Sequence, residues 1–188
     1  MNIIERPVIE KVLKNVLEFN PVLFRGKPLV LADEQKEGVL QANTSPLSIV
    51  TGGPGTGKTS VALSILRVHK MLGLAERPAL VAPTGRAANR MSEYAINGLN
   101  SIKDLNKLKH DSELLKFASD AKTLHRLLGY HPYLHSFRHH EYDPLEHDLL
   151  IIDEGSMIDQ ELMVRLLRAS NSKLPYLLPV QRIVILGD

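Results

Sequence analysis

The octapeptide Gly52-Gly-Pro-Gly-Thr-Gly-Lys-Thr59 restricts what this chain can fold into more than any other segment. It follows the short apolar run Ser48 to Thr51, which reads as a strand. It precedes Ser60 to Leu72, where Val61, Leu63, Ile65, Leu66 and Val68 suit the buried side of a helix. Strand, glycine loop and helix in that order are the context that the pattern GxxxxGK[ST] needs. The glycines allow consecutive backbone N–H groups to turn inward onto phosphate oxygens, and the following helix adds its positive N-terminal end. Gly53, Pro54, Gly55, Thr56, Gly57, Lys58, Thr59 and Ser60 are therefore the expected nucleotide-binding residues. Lys58 would place a point charge on the β and γ phosphates of ATP, and the Thr59 hydroxyl would be a ligand for Mg²⁺, which prefers oxygen.

The rest of the chain alternates between strand and helix patterns. Helices are expected over Arg6 to Phe19, from Asp33 as N-cap to Ala42, over Gly85 to Ile96, Thr123 to Leu128 and Gln160 to Ala169. Further strands are expected at Ala79 to Ala82, Asp148 to Ile152 and Arg182 to Leu186. Asn97 to Ala121 is polar and lysine-rich, with a weak helical pattern at Leu105, Leu108, Leu114, Leu115 and Phe117, and reads as an exposed excursion. Its Lys103, Lys107, Lys109 and Lys116, with Lys122 just beyond, alternate with Asp104, Asp111, Glu113 and Asp120, as on a solvated helix face. His131 to His147 reads as an irregular loop. Its histidines 131, 135, 139 and 140 lack regular ligand spacing, so a basic surface loop is expected there rather than a metal site. The alternation implies an α/β fold, a parallel sheet covered on both faces, with ligands at the carboxyl ends of the strands.

A phosphate loop needs a second carboxylate to hold its metal, and Leu149-Leu-Ile-Ile-Asp-Glu154 supplies one at a strand end. Asp153 is the expected second Mg²⁺ residue. Glu154, one residue on, faces another way and could polarise an attacking water, which favours hydrolysis. The same two acids could also serve only as a strand-end cap. Composition narrows the remaining classes. With no cysteine the chain can hold neither a disulfide nor a thiolate site, and no apolar run reaches the roughly 18 to 20 residues of a membrane span. The N-terminus does not read as a secretory signal, so a cytoplasmic chain is expected. A net charge of +2 says nothing about nucleic acid.

Once these elements are in place, the chain resembles the superfamily 1 helicases of the RecD (exodeoxyribonuclease V alpha chain) type. The resembling segments are GGPGTGKT from Gly52, APTGRAA from Ala82, TLHRLLG from Thr123, RHH and PL around Arg138 and Pro144, DLLIIDEGSMID from Asp148, and ILGD at the end. The resemblance implies a P-loop NTPase, a RecA-like motor domain, with strands in the order 1-4-3-2 and one sheet edge left uncovered. It implies a helical N-terminal remnant over residues 1 to 30 and a helicase domain over 31 to 188, incomplete at its C-terminus. Gln35 would read adenine through its amide. Pro83, Thr84, Gly85, Arg86, Thr123 and His125 would contact single-stranded DNA, although Arg86 could equally be a solvated residue and His125 a packed or capping one. Gly155 departs from the family, which more often carries a side chain there, and the turn after the acids is expected to be looser for it. The implied activity is ATP-driven, 5′ to 3′ DNA unwinding in double-strand-break repair and recombination. Its implied partners are the other subunits of an exodeoxyribonuclease V. A stand-alone helicase of the same type and a non-catalytic nucleotide-binding docking module are the alternatives. The 188 residues by themselves are expected to bind Mg·ATP without unwinding DNA.

Overall fold

A computed structural model describes residues 4–102, 109–171, 173, 180 and 182–188. Helix α1 (Arg6–Lys14) runs on into a π-helical turn at Asn15–Phe19, so the expected first helix forms with a wider last turn. Strands β1 (Leu23–Phe24) and β2 (Lys27–Pro28) make a small hairpin. Helix α2 (Asp33–Thr44) begins one residue earlier than expected. Ala32 occupies the N-cap, and Asp33 lies in the first turn, where its charge complements the helix dipole.

The principal sheet starts with β3 (Leu47–Thr51), followed by α3 (Lys58–Met71), β4 (Pro78–Ala82) and α4 (Gly85–Asn100). After α5 (Lys109–Ser119) come β5 (Lys122–Thr123), α6 (Leu124–Leu127) and a second hairpin of β6 (Tyr130–His131) and β7 (Ser136–Phe137). The chain continues through β8 (Leu149–Ile152), a 3₁₀ turn at Gly155–Met157, α7 (Gln160–Ser170) and β9 (Arg182–Gly187). The sheet order is β3-β9-β8-β4-β5, and every pairing is parallel. The first four strands have the expected order 1-4-3-2, and β5 adds a fifth.

Both faces of the sheet are covered at its centre, which is why β4 and β8 read as continuous apolar runs rather than alternating ones. Leu80, Leu149, Ile151, Val184 and Leu186 pack with α1 to α5, whereas Val81, Leu150, Ile152 and Ile183 pack with α6 and α7. Ile9, Leu13, Val16 and Val22 belong to the first of these clusters, so residues before α2 share a core with α3. Strand β3 forms the edge. Its Leu47 and Ile49 are 50% and 65% exposed, on the face they share with Ile183 and Ile185.

Two expectations are corrected. Residues 97 to 121 are not an exposed excursion where they are described: α4 runs through to Asn100, and Leu114 and Ala118 of α5 are fully buried. Asp111 is not solvated either. It is 2% exposed and pairs with Arg67 of α3 at 2.8 Å. Leu105, Leu108 and Lys103 to Lys107 lie outside the described residues. The segment 131 to 147 carries part of a hairpin and a bridge between His140 and Asp143 rather than being wholly irregular.

Candidate nucleotide and nucleic-acid site

The loop between β3 and α3 turns on two glycines with positive φ, Gly55 at +76° and Gly57 at +81°. An L side chain at Gly57 would be strained, and its Cβ would lie 2.7 Å from the Gln35 amide nitrogen. That amide donates to the Thr56 carbonyl at 2.7 Å, while its oxygen accepts from the Ala32 N–H at 2.8 Å. Gln35 thus braces the loop from α2.

Lys58 opens α3 with Gly57 as N-cap. Its ammonium donates to the carbonyls of Gly52 and Gly53 and to the Asp188 carboxylate, the last at 2.5 Å. This links the tops of β3 and β9, which are adjacent in the sheet. Ser60 shares a hydrogen bond with the Tyr94 hydroxyl, and the Tyr94 ring stacks on Phe24 with centroids 4.5 Å apart. Burial raises the Tyr94 pKa above its ordinary value.

The glycine loop, Lys58, Thr59, Asp153 and Glu154 line one cavity of about 590 Å³, together with Arg90, Met91 and Tyr94 of α4. Those three α4 residues carry no motif in the sequence. Their only signal is a shared helix face at spacings of three and four. Burial pushes the Asp153 carboxyl above its ordinary range. Accepting the Glu154 N–H at 2.9 Å opposes this, the neighbouring Glu154 charge reinforces it, and the positive charges of Lys58 and Arg90 oppose it further. Glu154 is left-handed, with φ at +53°, and its carboxylate accepts from Arg90. A non-glycine residue held in that region costs on the order of 1 to 3 kcal/mol and is typical of functional turns.

The glycine at 155 has a different consequence from the looser turn expected. A Cβ there would stand 2.2 Å from Ile185 Cγ2 and 3.2 Å from the Leu186 carbonyl. Glycine lets β9 approach closely and tightens the turn.

Pro83 to Arg86 lead from β4 into α4. The Thr84 hydroxyl caps α4 by accepting from the Ala87 N–H at 3.2 Å, and Arg86 is exposed with no ion pair among the described residues. Thr123 caps α6 in the same way, accepting from the Arg126 N–H at 3.2 Å. Each hydroxyl keeps its own hydrogen to donate. His125 is exposed and meets the Tyr130 ring edge-on at 5.4 Å and the Phe137 ring at 5.7 Å. The two capped helices follow β4 and β5, which are neighbours in the sheet, so these residues gather at its carboxyl end. In the second hairpin, Tyr130 Oη lies 3.3 Å from His135 Nδ1, and His139 Nδ1 lies 3.1 Å from the Asp143 carbonyl.

The sequence model of the AAA domain family matches residues 35–188. The RecBCD enzyme subunit RecD of Haemophilus influenzae is 39% identical over 157 residues, which is 83% of this chain and 23% of that protein. The ATP-dependent RecD2 DNA helicase of Deinococcus radiodurans is 35% identical over 158 residues, 84% of this chain and 18% of that protein. The chain thus spans about a quarter or less of the length of these relatives. Among solved structures, the UvsW helicase of bacteriophage T4 superposes with a TM-score of 0.66 at 12% identity, covering 99% of this chain and 61% of that one, and so shares the fold. Since the family model takes in β3 to β9 with every residue of the cavity, the chain belongs to the AAA domain family and is RecD-like.

Proposed function

We propose that the chain binds and hydrolyses Mg·ATP as the motor domain of a 5′ to 3′ DNA helicase. On this reading it works in the cytoplasm as part of the alpha subunit of an exodeoxyribonuclease V, in double-strand-break repair and recombination. The observation that carries the reading is the one cavity shared by Lys58, Thr59, Asp153 and Glu154 with the glycine loop Pro54 to Gly57.

Lys58 would leave its carbonyl partners to neutralise the β and γ phosphates, and the loop N–H groups would hold the remaining oxygens. The Thr59 hydroxyl and the Asp153 carboxylate are hard oxygen donors that fit Mg²⁺ and leave other positions for phosphate and water. Bound there, the ion would draw off charge developing on the transferred phosphoryl group. Glu154 would orient and deprotonate the attacking water, with Arg90 as its positioning residue. Pro83, Thr84, Gly85, Arg86, Thr123 and His125 would meet the backbone of single-stranded DNA with hydroxyls, a helix N-terminus and a guanidinium.

A stand-alone helicase is the second reading. It is favoured by the Deinococcus radiodurans relative, which is described as an ATP-dependent DNA helicase rather than as a subunit of an enzyme and matches a similar share of the chain. No helix among the described residues is long and apolar enough to cross a membrane.

The test is calorimetric titration of Mg·ATP into the chain and into Lys58→Ala, with and without a single-stranded oligonucleotide. Binding that Lys58→Ala abolishes, and that the oligonucleotide strengthens or weakens, supports a DNA-coupled motor. Binding that Lys58→Ala leaves intact would overturn the assignment of the loop.

A further inference from the structure

A cleft of about 470 Å³ lies away from the glycine loop, between the start of β4, the junction of α5 with β5, α6 and residues 138–147. Pro78, Ala79, Leu127 and Leu145 give it apolar lining, and the last three are at most 5% exposed. Four permanent cations also line it, Arg77, Lys122, Arg126 and Arg138, against two carboxylates, Asp120 and Glu146. In a chain whose net charge is only +2, this is a local concentration of positive charge.

Three of these cations are not spent on structure. The side chains of Arg77 and Arg138 are 57% and 73% exposed, and their ion pairs are long, 3.7 Å to Glu146 and 3.3 Å to Asp143. Such screened pairs are worth little and exchange readily for a better anion. The Arg126 guanidinium has no partner among the described residues. Lys122 alone is closely paired, to Asp120 at 2.6 Å.

We propose that this cleft is a second phosphate site, which takes the backbone of a single-stranded nucleic acid with its sugar or base against the apolar lining. The inference rests on the nucleic-acid reading above but extends it to residues outside that set. Continuity supports a strand over a free nucleotide: Arg126 shares one helical turn with Thr123 and His125, and Thr123 caps its N–H. Arg126 is the residue of that turn that also lines the cleft, so a strand held at Thr123 would enter the cleft there. The planar guanidiniums can grip phosphate oxygens in pairs. A free phosphate shares this chemistry but has no sugar or base to set against Pro78, Ala79, Leu127 and Leu145.

The experiment uses the whole chain in a Lys58→Ala background, so that the glycine loop contributes no phosphate binding. Fluorescence anisotropy of a labelled oligothymidylate is followed against salt, with pyrophosphate as the free-phosphate probe. Arg126→Gln together with Arg138→Gln is expected to weaken oligonucleotide binding about tenfold. It should also make the slope of log K against log salt shallower by roughly 0.7 for each phosphate that is no longer neutralised. Arg126→Gln alone, at an exposed position, should give part of both effects if the double variant folds poorly. Unchanged affinity and slope, with Arg86→Ala still weakening binding, would overturn the cleft and leave the nucleic-acid reading standing. Pyrophosphate binding that needs Arg126 and Arg138, with no oligonucleotide binding at all, would overturn the strand in favour of a free-phosphate site. No binding of either probe would overturn both.

Discussion

Arg90 on α4 donates to the carboxylate of Glu154, which lies two residues beyond β8 with a left-handed backbone. The two lie 64 residues apart, and only the packing of α4 beside the strand ends brings them together. Arg90 should therefore act through Glu154. Arg90→Ala is expected to lower ATP turnover by up to about a hundredfold, the scale at which a base misplaced by about 1 Å loses rate, with the ATP dissociation constant changed less than about threefold. Steady-state kinetics beside calorimetry separates the two. A loss confined to binding would make Arg90 a nucleotide contact instead.

Glu154→Gln keeps the shape and removes the base. Turnover should fall by about two to four orders of magnitude, the usual contribution of a positioned acid or base, while Mg·ATP binding persists. Turnover within threefold of the parent would reduce Glu154 to a strand-end cap.

Gly155→Ala puts a methyl group 2.2 Å from Ile185 Cγ2, on a β-branched side chain that cannot swing aside freely. The overpacking should cost about 1 to 3 kcal/mol and push β9 away from the acids. Urea denaturation measures the first effect. A fall in ATP affinity beyond the stability loss would report the second, because Lys58 is tied to Asp188 at the end of β9.

Most of the sheet could be read in the sequence because β4, β8 and β9 are buried on both faces and appear as apolar runs, while the edge strand β3 is marked by the glycine loop that follows it. The acids at 153 and 154 were legible for the same reason, as polar residues at the end of such a run. What escaped was set by distant partners. The charges of α5 look solvated until Arg67, 44 residues earlier, is seen to bury Asp111. The strands of the second hairpin are two residues long, too short for an alternating pattern to show. Arg90 and Tyr94 belong to the cavity only because α4 packs against α3, and the helix face they share is no different in pattern from that of any other amphipathic helix.

Arg67 and Asp111 are each 2% exposed and are joined by two hydrogen bonds, of 2.8 and 3.1 Å. Arg67→Met leaves a buried carboxylate without its guanidinium and is expected to destabilise the fold by about 3 to 5 kcal/mol. Adding Asp111→Leu should recover most of that loss, since an apolar pair of similar volume needs no desolvation of charge. The two urea midpoints decide it. No recovery in the double variant would mean that the carboxylate supports more of α5 than this one pair.

His69 supplies a pH dependence. Its ring is fully buried on α3, with Nδ1 3.0 Å from the Asn43 side-chain oxygen and Nε2 without a partner among the described residues. Burial, and after it the positive charge of Arg182, push the pKa down from 6.5 to about 3. The folded chain therefore keeps His69 neutral, while the unfolded chain takes up a proton below about pH 6.5. The stability that depends on this neutrality is complete above about pH 6.5. It falls by up to about 1.4 kcal/mol per pH unit as the pH drops from there towards about 3. Burial lowers the pKa of His147 as well, and this acts with the same sign. Urea midpoints between pH 7.5 and 5.5 should fall with acidification, and His69→Phe should flatten the slope without abolishing it. Because the comparison uses slopes, any stability that Phe loses at Asn43 cancels. An unchanged slope in the variant would mean that His69 accepts its proton inside the fold, which would require water to reach the buried ring as well as the Arg182 charge to move away.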